Sequence, residues 1–164
     1  KGQAGRIGDF VIYSLPKYFP INFGGILQCN NPFYYNQIQN QNNKIEHYLS
    51  VLLTHYLREN DLIKEKRRTN YEYLSEVFLQ LGFTPRFKLS GNEAPGVFMF
   101  TAAEIDLNKL KIFMQDNGVE SSVFYGEEAF FVPVHQELTK EDMNFFFQLV
   151  SYYVQNGNKQ HCTG

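Results

Sequence analysis

Apolar residues recur along the chain with two different spacings, and these spacings predict strands in some segments and helices in others. The β-branched and aromatic run 9–13 predicts a buried strand, and the run 23–29, entered through two glycines, predicts a second short strand after a loop that contains Pro16 and Pro20. We expect this pair to need further strands beside it, which the chain does not obviously supply. Apolar residues three and four positions apart then predict a long amphipathic helix. The residues of this stripe are Ile45, Tyr48, Leu49, Leu52, Leu53 and Tyr56.

A second stripe of the same spacing predicts another helix. Its members are Tyr71, Leu74, Phe78 and Leu81. The stripe ends at Gly82, and glycine suits the end of a helix because it readily adopts the left-handed conformation that closes the last turn. Between the two stripes, we interpret the charged run 64–68 as a solvated helix face in preference to a binding patch.

Beyond residue 83 the predicted elements become shorter. Apolar runs predict three strands, at 96–101, 119–125 and 129–134. Two helices are predicted from their N-caps: one begins at Asp106, and the last begins at Thr139 with Asp142 as its capping partner. This order predicts a compact α+β unit in which helices cover one face of a small sheet.

Composition and charge indicate a folded protein without a surface for nucleic acid or membranes. Of the 164 residues, 43% are hydrophobic and 20% are charged, which is enough apolar material for a core. The 15 basic and 17 acidic residues leave a net charge of −2, so we expect no nucleic acid and no membrane among the partners. Only Cys29 and Cys162 carry thiols, and no apolar run approaches the roughly 20 residues of a membrane span. We therefore expect a cytoplasmic chain.

Most standard site motifs are absent from the sequence, including phosphate-binding glycine loops, nucleophile elbows and paired-cysteine motifs. His47 and His55 are eight residues apart, not the four that place two metal ligands on one helix face, so we expect no metal site there. Cys29 has no base near it in sequence and is interpreted as a structural thiol. His135 follows a predicted strand, where sites often lie, but a structural role is the favoured interpretation.

The lysine between the first two predicted strands allows two interpretations. Lys17 lies in the sequence Leu-Pro-Lys-Tyr-Phe-Pro, so its neighbours are apolar and two prolines restrict the backbone around it. If these neighbours are buried, a charged ammonium is costly there, and the lysine becomes a nucleophilic amine able to form a Schiff base with an aldehyde. The other interpretation, which residue chemistry alone favours, is a lysine that reaches solvent from a loop. The following Gly24-Gly25 step allows close approach of a cofactor or a facing strand.

The order of these residues carries a family resemblance. Ser14 precedes Lys17 by three positions, and Gly24 and Gly25 follow it just before a predicted strand. This arrangement resembles the cofactor-lysine segment of the DegT/StrS family. The members of this family are pyridoxal-phosphate-dependent sugar aminotransferases of the fold-type I architecture. In that family a serine shortly precedes the lysine that binds the cofactor, and a Gly-Gly step with a strand comes soon after.

Two later segments resemble the same family in the same order. Arg67, Arg68 and Asn70 resemble its arginine-rich helix, and His135, in the sequence Val-Pro-Val-His, resembles its strand-end Pro-x-His segment before the terminal helix. The resemblance extends over essentially the whole chain but corresponds only to the C-terminal half of the family. It implies an α/β, fold-type I aminotransferase-like chain. The implied parts are the end of the large cofactor-binding domain (1–35), long connecting helices (36–82) and a small C-terminal α+β domain with a short sheet (83–164).

The resemblance also implies a site and a reaction. Lys17 would bind pyridoxal phosphate as a Schiff base and move a proton during catalysis, and Ser14 would bind the cofactor phosphate, although many members have a longer spacing between these two residues. The chain would be the C-terminal portion of a dimeric aminotransferase for polysaccharide biosynthesis, which transfers an amino group from an amino acid, expected to be glutamate, to a nucleotide-linked keto sugar. The full cofactor pocket would need residues absent from this chain, in a missing N-terminal half, because Asp9 cannot be assigned as the carboxylate for the cofactor ring.

Two other functions remain open from the sequence. The first is a non-catalytic binding or assembly module in which the aromatic helices, 45–81, form a partner interface. The second is a nucleic-acid binder that uses the charged run 64–68, which the net charge disfavours.

Overall fold

The computed structural model describes residues 5–38, 44–91 and 93–157, and the chain divides into two compact units, Lys1–Asn60 and Asp61–Gly164. Cys162 lies outside the described residues. Within the described ranges, no helix combines the length and the apolar character needed to cross a bilayer.

The first unit contains a hairpin of two antiparallel strands. β1 (Phe10–Ser14) pairs with β2 (Gly25–Cys29), which confirms the predicted strand pair. A 3₁₀ turn (Leu15–Lys17) follows β1, and two helices, α1 (Pro32–Tyr35) and α2 (Lys44–Arg58), follow β2. The turn and α1 have no counterpart in the prediction, because three or four residues are too few to show a helical period.

The hairpin is exposed, so the prediction that its first strand is buried is wrong, whereas the expectation that this chain supplies no further strand beside the pair agrees with the described residues. Every residue of β1 and β2 is exposed except Val11 and Cys29, which are half-buried. Among the described residues, each strand has one strand neighbour, namely the other, and no further strand lies beside them. A β-branched and aromatic sequence predicts a strand, but the burial of that strand depends on elements that the sequence pattern does not identify.

The apolar stripe of α2 is only partly buried. Leu49, Leu52, Leu53 and Tyr56 are half-buried. At the start of the stripe, Ile45 and Tyr48 are 58% and 54% exposed. The predicted helix is therefore confirmed, and its predicted face is confirmed only for its C-terminal part.

The second unit is built on a four-stranded antiparallel sheet. Its strands are β3 (Thr84–Pro85), β4 (Val97–Thr101), β5 (Ser122–Phe124) and β6 (Ala129–Pro133), in the spatial order β3-β4-β6-β5. The sequence pattern predicts β4, β5 and β6. It does not predict β3, since two residues that include a proline cannot show an alternating pattern.

Three helices accompany this sheet, namely α3 (Asn60–Leu79), α4 (Leu107–Asp116) and α5 (Lys140–Gly157). The predicted caps of α4 and α5 are confirmed. The Asp106 carboxylate accepts hydrogen bonds from two backbone amides of the first turn of α4, at 3.1 and 3.0 Å. At α5, the Thr139 hydroxyl accepts from the Asp142 amide at 3.2 Å, and the Asp142 carboxylate accepts from the Thr139 amide at 2.8 Å.

The core of the second unit lies between one face of the sheet and the helices. The fully buried side chains of the sheet are Phe98, Phe100, Phe130 and Val132, and those of the helices are Leu74, Phe78, Leu110, Met114 and Val150. The Phe78 ring from α3 lies 5.2 Å from the Phe98 ring and 5.0 Å from the Phe100 ring, so α3 contributes to this core.

The domain limits implied by the family resemblance stay a prediction.

Truncation of Phe78 tests the importance of this aromatic contact. Because the side chain is fully buried among aromatic rings, we expect Phe78→Ala to lower the free energy of unfolding by about 3–5 kcal/mol, through lost burial and a residual cavity. Leu79→Ala, at a neighbouring position that is 54% exposed, is the matched control and should change it by about 0.5 kcal/mol or less. Urea titration followed by circular dichroism measures both values. Equal losses in the two variants would contradict the prediction.

Candidate functional site

Lys17 lies in a tight turn directly after β1. The Leu15 amide donates to the Gly24 carbonyl at 3.2 Å, which closes the hairpin beyond its last strand pair. The amides of Tyr18 and Phe19 both donate to the Leu15 carbonyl, at 3.0 and 2.9 Å. The backbone on both sides of Lys17 is therefore held by hydrogen bonds.

Apolar side chains anchor this turn, while the lysine is exposed. Leu15, Phe19 and Ile21 have 3%, 9% and 4% of their surface exposed, and the Phe19 ring stacks on the Tyr56 ring at 5.9 Å. Lys17 itself is an exposed residue. Of the apolar residues that flank the lysine in the Leu-Pro-Lys-Tyr-Phe-Pro segment, two are buried, but Pro16 and Pro20 are exposed. The burial that the nucleophilic interpretation supposes is therefore absent at Lys17, and the structure agrees with a lysine that reaches solvent. Its amine is attached to a fixed backbone and is accessible from solvent.

The two glycines after the turn are required by close contacts. Gly24 has a φ of +97°, and a Cβ atom there would lie 2.7 Å from Cδ1 of Leu49. A Cβ atom on Gly25 would lie 2.9 Å from the carbonyl oxygen of Tyr13 in the facing strand. Of the two roles that the sequence leaves open for this step, the geometry supports the close approach of a facing strand.

Ser14 lies near Lys17 in the chain, whereas Asp9 lies at the opposite end of β1. Ser14 is exposed, and its hydroxyl makes no capping hydrogen bond to the 3₁₀ turn. Asp9 comes five residues earlier, a distance of roughly 17 Å along an extended strand. Its carboxylate accepts a hydrogen bond from the Asn31 amide group at 2.8 Å. Asp9 therefore cannot serve a small ligand that is held at both Ser14 and Lys17.

A buried polar network in the second unit joins α3 to the segment between β6 and α5. Arg67 is only 4% exposed, and its Nε donates to Oε1 of Gln136 at 2.9 Å. One turn later, the Asn70 side chain donates to the carbonyl of His135 at 2.9 Å. A buried guanidinium needs hydrogen bonds because it cannot lose its charge. The structure thus brings together residues that the family resemblance relates only by their order in the chain.

Arg67 also corrects the interpretation of the run 64–68 as a solvated helix face. Its side chain is buried, and Arg68 is half-buried with Nη1 donating to the Ser90 carbonyl at 2.6 Å. A sequence pattern in which every arginine is taken as a surface residue does not identify the burial of Arg67. The signal was present in the spacing, since Arg67 lies four residues before Tyr71 and seven before Leu74 on the buried stripe of α3.

His135 lines a cleft of about 760 Å³ in the second unit. Its backbone is fixed, because its carbonyl accepts hydrogen bonds from Asn70 and from the Leu138 amide. His135 is an exposed residue, but partial desolvation of its imidazole lowers its pKa, and the charge of Arg67 lowers it further, while the charges of Glu137 and Asp142 raise it. The imidazole is therefore neutral near pH 7 and able to accept a hydrogen bond.

The other candidate side chains do not form a catalytic cluster. Cys29 is half-buried and its Sγ donates to the Asn31 carbonyl at 3.2 Å, which agrees with a structural thiol. His47 and His55 line a shallow groove of about 360 Å³ along α2, together with Arg58. In the part of the chain that the structure describes, no group of three His, Cys, Asp or Glu side chains is placed to hold a metal ion.

No protein-family model matches the sequence, and no curated protein matches it. The fold, in contrast, is similar to solved structures of aminotransferases. A DegT DnrJ EryC1 StrS aminotransferase from Brucella abortus aligns with a TM-score of 0.64 at 14% identity, over 90% of this chain and 51% of that chain. The apo form of Spr1654 from Streptococcus pneumoniae, named as a candidate sugar aminotransferase, aligns with a TM-score of 0.54 at 14% identity, over 63% and 34%.

A PMP form of Spr1654 aligns with a TM-score of 0.51 at 12% identity, over 57% of this chain and 31% of that chain. At these identities the comparisons show the fold alone. The chain shares a mixed helix and sheet architecture with part of each aminotransferase and spans between 31% and 51% of their lengths.

Removal of the Arg67 guanidinium tests the network in the second unit. We expect Arg67→Met to lower the free energy of unfolding by about 1–3 kcal/mol, because the buried Gln136 oxygen then lacks its donor. The neighbouring Lys66 is exposed, so Lys66→Met is a matched control that should change stability by about 0.5 kcal/mol or less. Chemical denaturation of both variants gives the comparison. A loss in Arg67→Met no larger than that in Lys66→Met would refute the role of the network.

Proposed function

We propose that this chain is part of a pyridoxal-phosphate-dependent aminotransferase in which Lys17 is the amine that binds the cofactor. The observation that carries the proposal is an exposed lysine on a hydrogen-bonded turn anchored by Leu15 and Phe19, directly after a strand. The fold likeness to sugar aminotransferases supports it, as does the order of Ser14, Lys17 and the glycine pair. The similarity to a structure in the PMP form supports a cofactor of this kind.

The side chains of the turn fit two parts of pyridoxal phosphate. The primary amine of Lys17 suits an aldehyde, and the Ser14 hydroxyl suits a phosphate oxygen as a hydrogen-bond donor. When bound, pyridoxal phosphate supplies the electron-withdrawing ring that makes a carbon next to an amino group acidic. The Asp9 carboxylate is too far from Ser14 and Lys17 to contact the ring nitrogen of the cofactor. We therefore assign the carboxylate that would contact this nitrogen to a residue outside this sequence.

Lys17 has a second role in this proposal. Its amine takes the proton from the substrate carbon that bears the amino group and returns a proton later in the same turnover. A base in this role must be held in a constant position, and the hydrogen bonds of Tyr18 and Phe19 to the Leu15 carbonyl support that requirement. We propose glutamate as the amino donor, a nucleotide-linked keto sugar as the acceptor, and a cytoplasmic homodimer as the active form.

Chemical labelling of Lys17 tests the proposal. The protein is incubated with pyridoxal phosphate and reduced with borohydride, and peptide mass spectrometry measures the modified fraction of each lysine. We expect labelling at Lys17 to exceed that at Lys44, an exposed lysine of the same unit, by at least tenfold. Lys17→Ala should remove the dominant adduct, and Lys44→Ala should leave it unchanged. Equal labelling of the two lysines in the wild-type protein would reject Lys17 as the cofactor residue.

A second candidate function is an assembly module without catalysis, and the surface of α2 favours it. Ile45, Tyr48, Val51 and Leu57 are between 54% and 58% exposed on this helix. Apolar side chains concentrated on one exposed helix are typical of an interaction surface. In this alternative, copies of the chain associate through α2, and Lys17 has no role.

Sedimentation velocity at several concentrations tests the assembly alternative. If α2 is the interface, the wild-type sedimentation coefficient rises with concentration, and Val51→Ser reduces that rise because it removes exposed apolar surface. Ile12→Ser, at a residue of β1 that is 78% exposed, is the control for general loss of apolar surface. The alternative fails if the chain sediments as a monomer throughout, or if both substitutions act equally.

A further inference from the structure

The cleft beside His135 opens where β5 separates from β6. β6 pairs with β4 as far as Pro133, but it pairs with β5 only as far as Phe131, opposite Ser122. The space next to the last two residues of β6 is therefore not filled by a strand. Residues at the end of α4 and the start of α5 complete the cleft, and all of its lining residues belong to the second unit. Its volume of about 760 Å³ is in the ordinary range for small-molecule sites.

Three phenylalanine side chains line this cleft. Phe131, Phe145 and Phe146 are part of its lining, and Phe145 is 43% exposed. Phe78, in the core, contacts three other aromatic rings. Within the described residues, none of these three rings stacks on or meets another aromatic ring edge to face, although Phe146 is buried as part of the core. Aromatic rings gain stability when they stack or meet edge to face. A planar aromatic ligand would supply the contacts that these rings lack.

Polar groups at the cleft can recognise the edge of such a ring. His135 has a fixed backbone, and among the described residues its imidazole has no hydrogen-bond partner. The half-buried Ser122 also lines the cleft. The Gln115 side chain, which donates to the Ser121 carbonyl at 3.3 Å, still has an amide oxygen to accept a hydrogen bond. Donors and acceptors are therefore available beside the aromatic walls.

The charges at the cleft disfavour an anionic ligand. Its lining contains Lys111 and two carboxylates, Glu120 and Asp142, so negative charge exceeds positive by one when His135 is neutral. Lys111 already lies over the Tyr125 ring, with Nζ 5.8 Å from the ring centroid. Phosphate binding usually draws on arginine, lysine or a free helix N-terminus, and here the N-terminus of α5 is already capped by Thr139 and Asp142. The cleft suits an uncharged ligand better than a phosphorylated one.

We propose that this cleft binds an uncharged planar heteroaromatic compound of nucleoside size, with its ring among Phe131, Phe145 and Phe146 and its polar edge at His135. None of the lining residues belongs to the turn that carries Lys17, and this proposal does not rest on the proposed aminotransferase chemistry. It differs from a nucleotide-sugar site in that the ligand carries no phosphate. The aromatic lining favours a planar ligand, and the balance of charges favours an uncharged one.

A fluorescent nucleoside, 2-aminopurine riboside, tests the proposal in the intact chain. The chain contains no Trp, so the probe is excited without interference from indole. We expect saturable binding by fluorescence anisotropy and displacement by adenosine. Adenosine monophosphate should compete at least tenfold more weakly, because its phosphate meets the carboxylates of the cleft. Tighter competition by the monophosphate would overturn the assignment of an uncharged ligand.

Two variants locate the binding. Phe145→Ala removes an exposed ring, and Ser122→Phe places a ring inside the cleft, so each should weaken the probe at least tenfold. Phe87→Ala, at a residue that is 53% exposed outside the cleft, is the matched control and should bind as the wild type does. Circular dichroism verifies the fold of each variant. If the wild-type protein shows no saturable binding, or if both cleft variants bind unchanged, the proposal is wrong.

Discussion

A charged guanidinium in the protein interior is the constraint on which the arrangement of the second unit depends. Arg67 keeps its proton at any ordinary pH, so its burial is tolerated only where hydrogen bonds compensate for lost water. Gln136 provides such a bond from a position 69 residues away in the chain, and Asn70 secures His135 beside it. This pairing fixes α3 against the end of β6 and the start of α5, and with them one wall of the cleft.

Much of the fold is predictable from the sequence where the signal is local. The Asp106 and Thr139 caps involve residues within three positions of each other, and Gly82 adopts the left-handed conformation expected at a helix end, with a φ of +80°. Burial is less predictable, because it depends on elements distant in sequence. The residues of β1 have strand-forming side chains but face solvent, and Arg67 occupies a core position although it is charged. Both differences arise from tertiary contacts that propensity does not encode.

The same distinction applies to the candidate sites. Lys17 and Ser14 could be identified as candidate site residues from residue types and order. A lysine between two prolines, followed seven residues later by a glycine pair, is a local pattern. The exposure of Lys17 could not be predicted in this way, because which side chains of the turn are buried, here Leu15 and Phe19, depends on tertiary packing. Of the residues that line the cleft, the sequence pointed only to His135, by its place after a predicted strand. The rings of the cleft come from β6 and α5, and nothing in their spacing indicates that they share a cavity.

Proline ends two strands of the second sheet at points where part of the backbone has no neighbouring strand. Pro85 ends the short edge strand β3, and Pro133 ends β6 just beyond the last residue paired with β5. An open edge normally invites another chain to add a strand, which leads to aggregation. Proline has no amide hydrogen to donate to an incoming strand. At these two positions the sheet therefore offers an incoming strand one hydrogen-bond donor fewer, which disfavours the addition of a strand there.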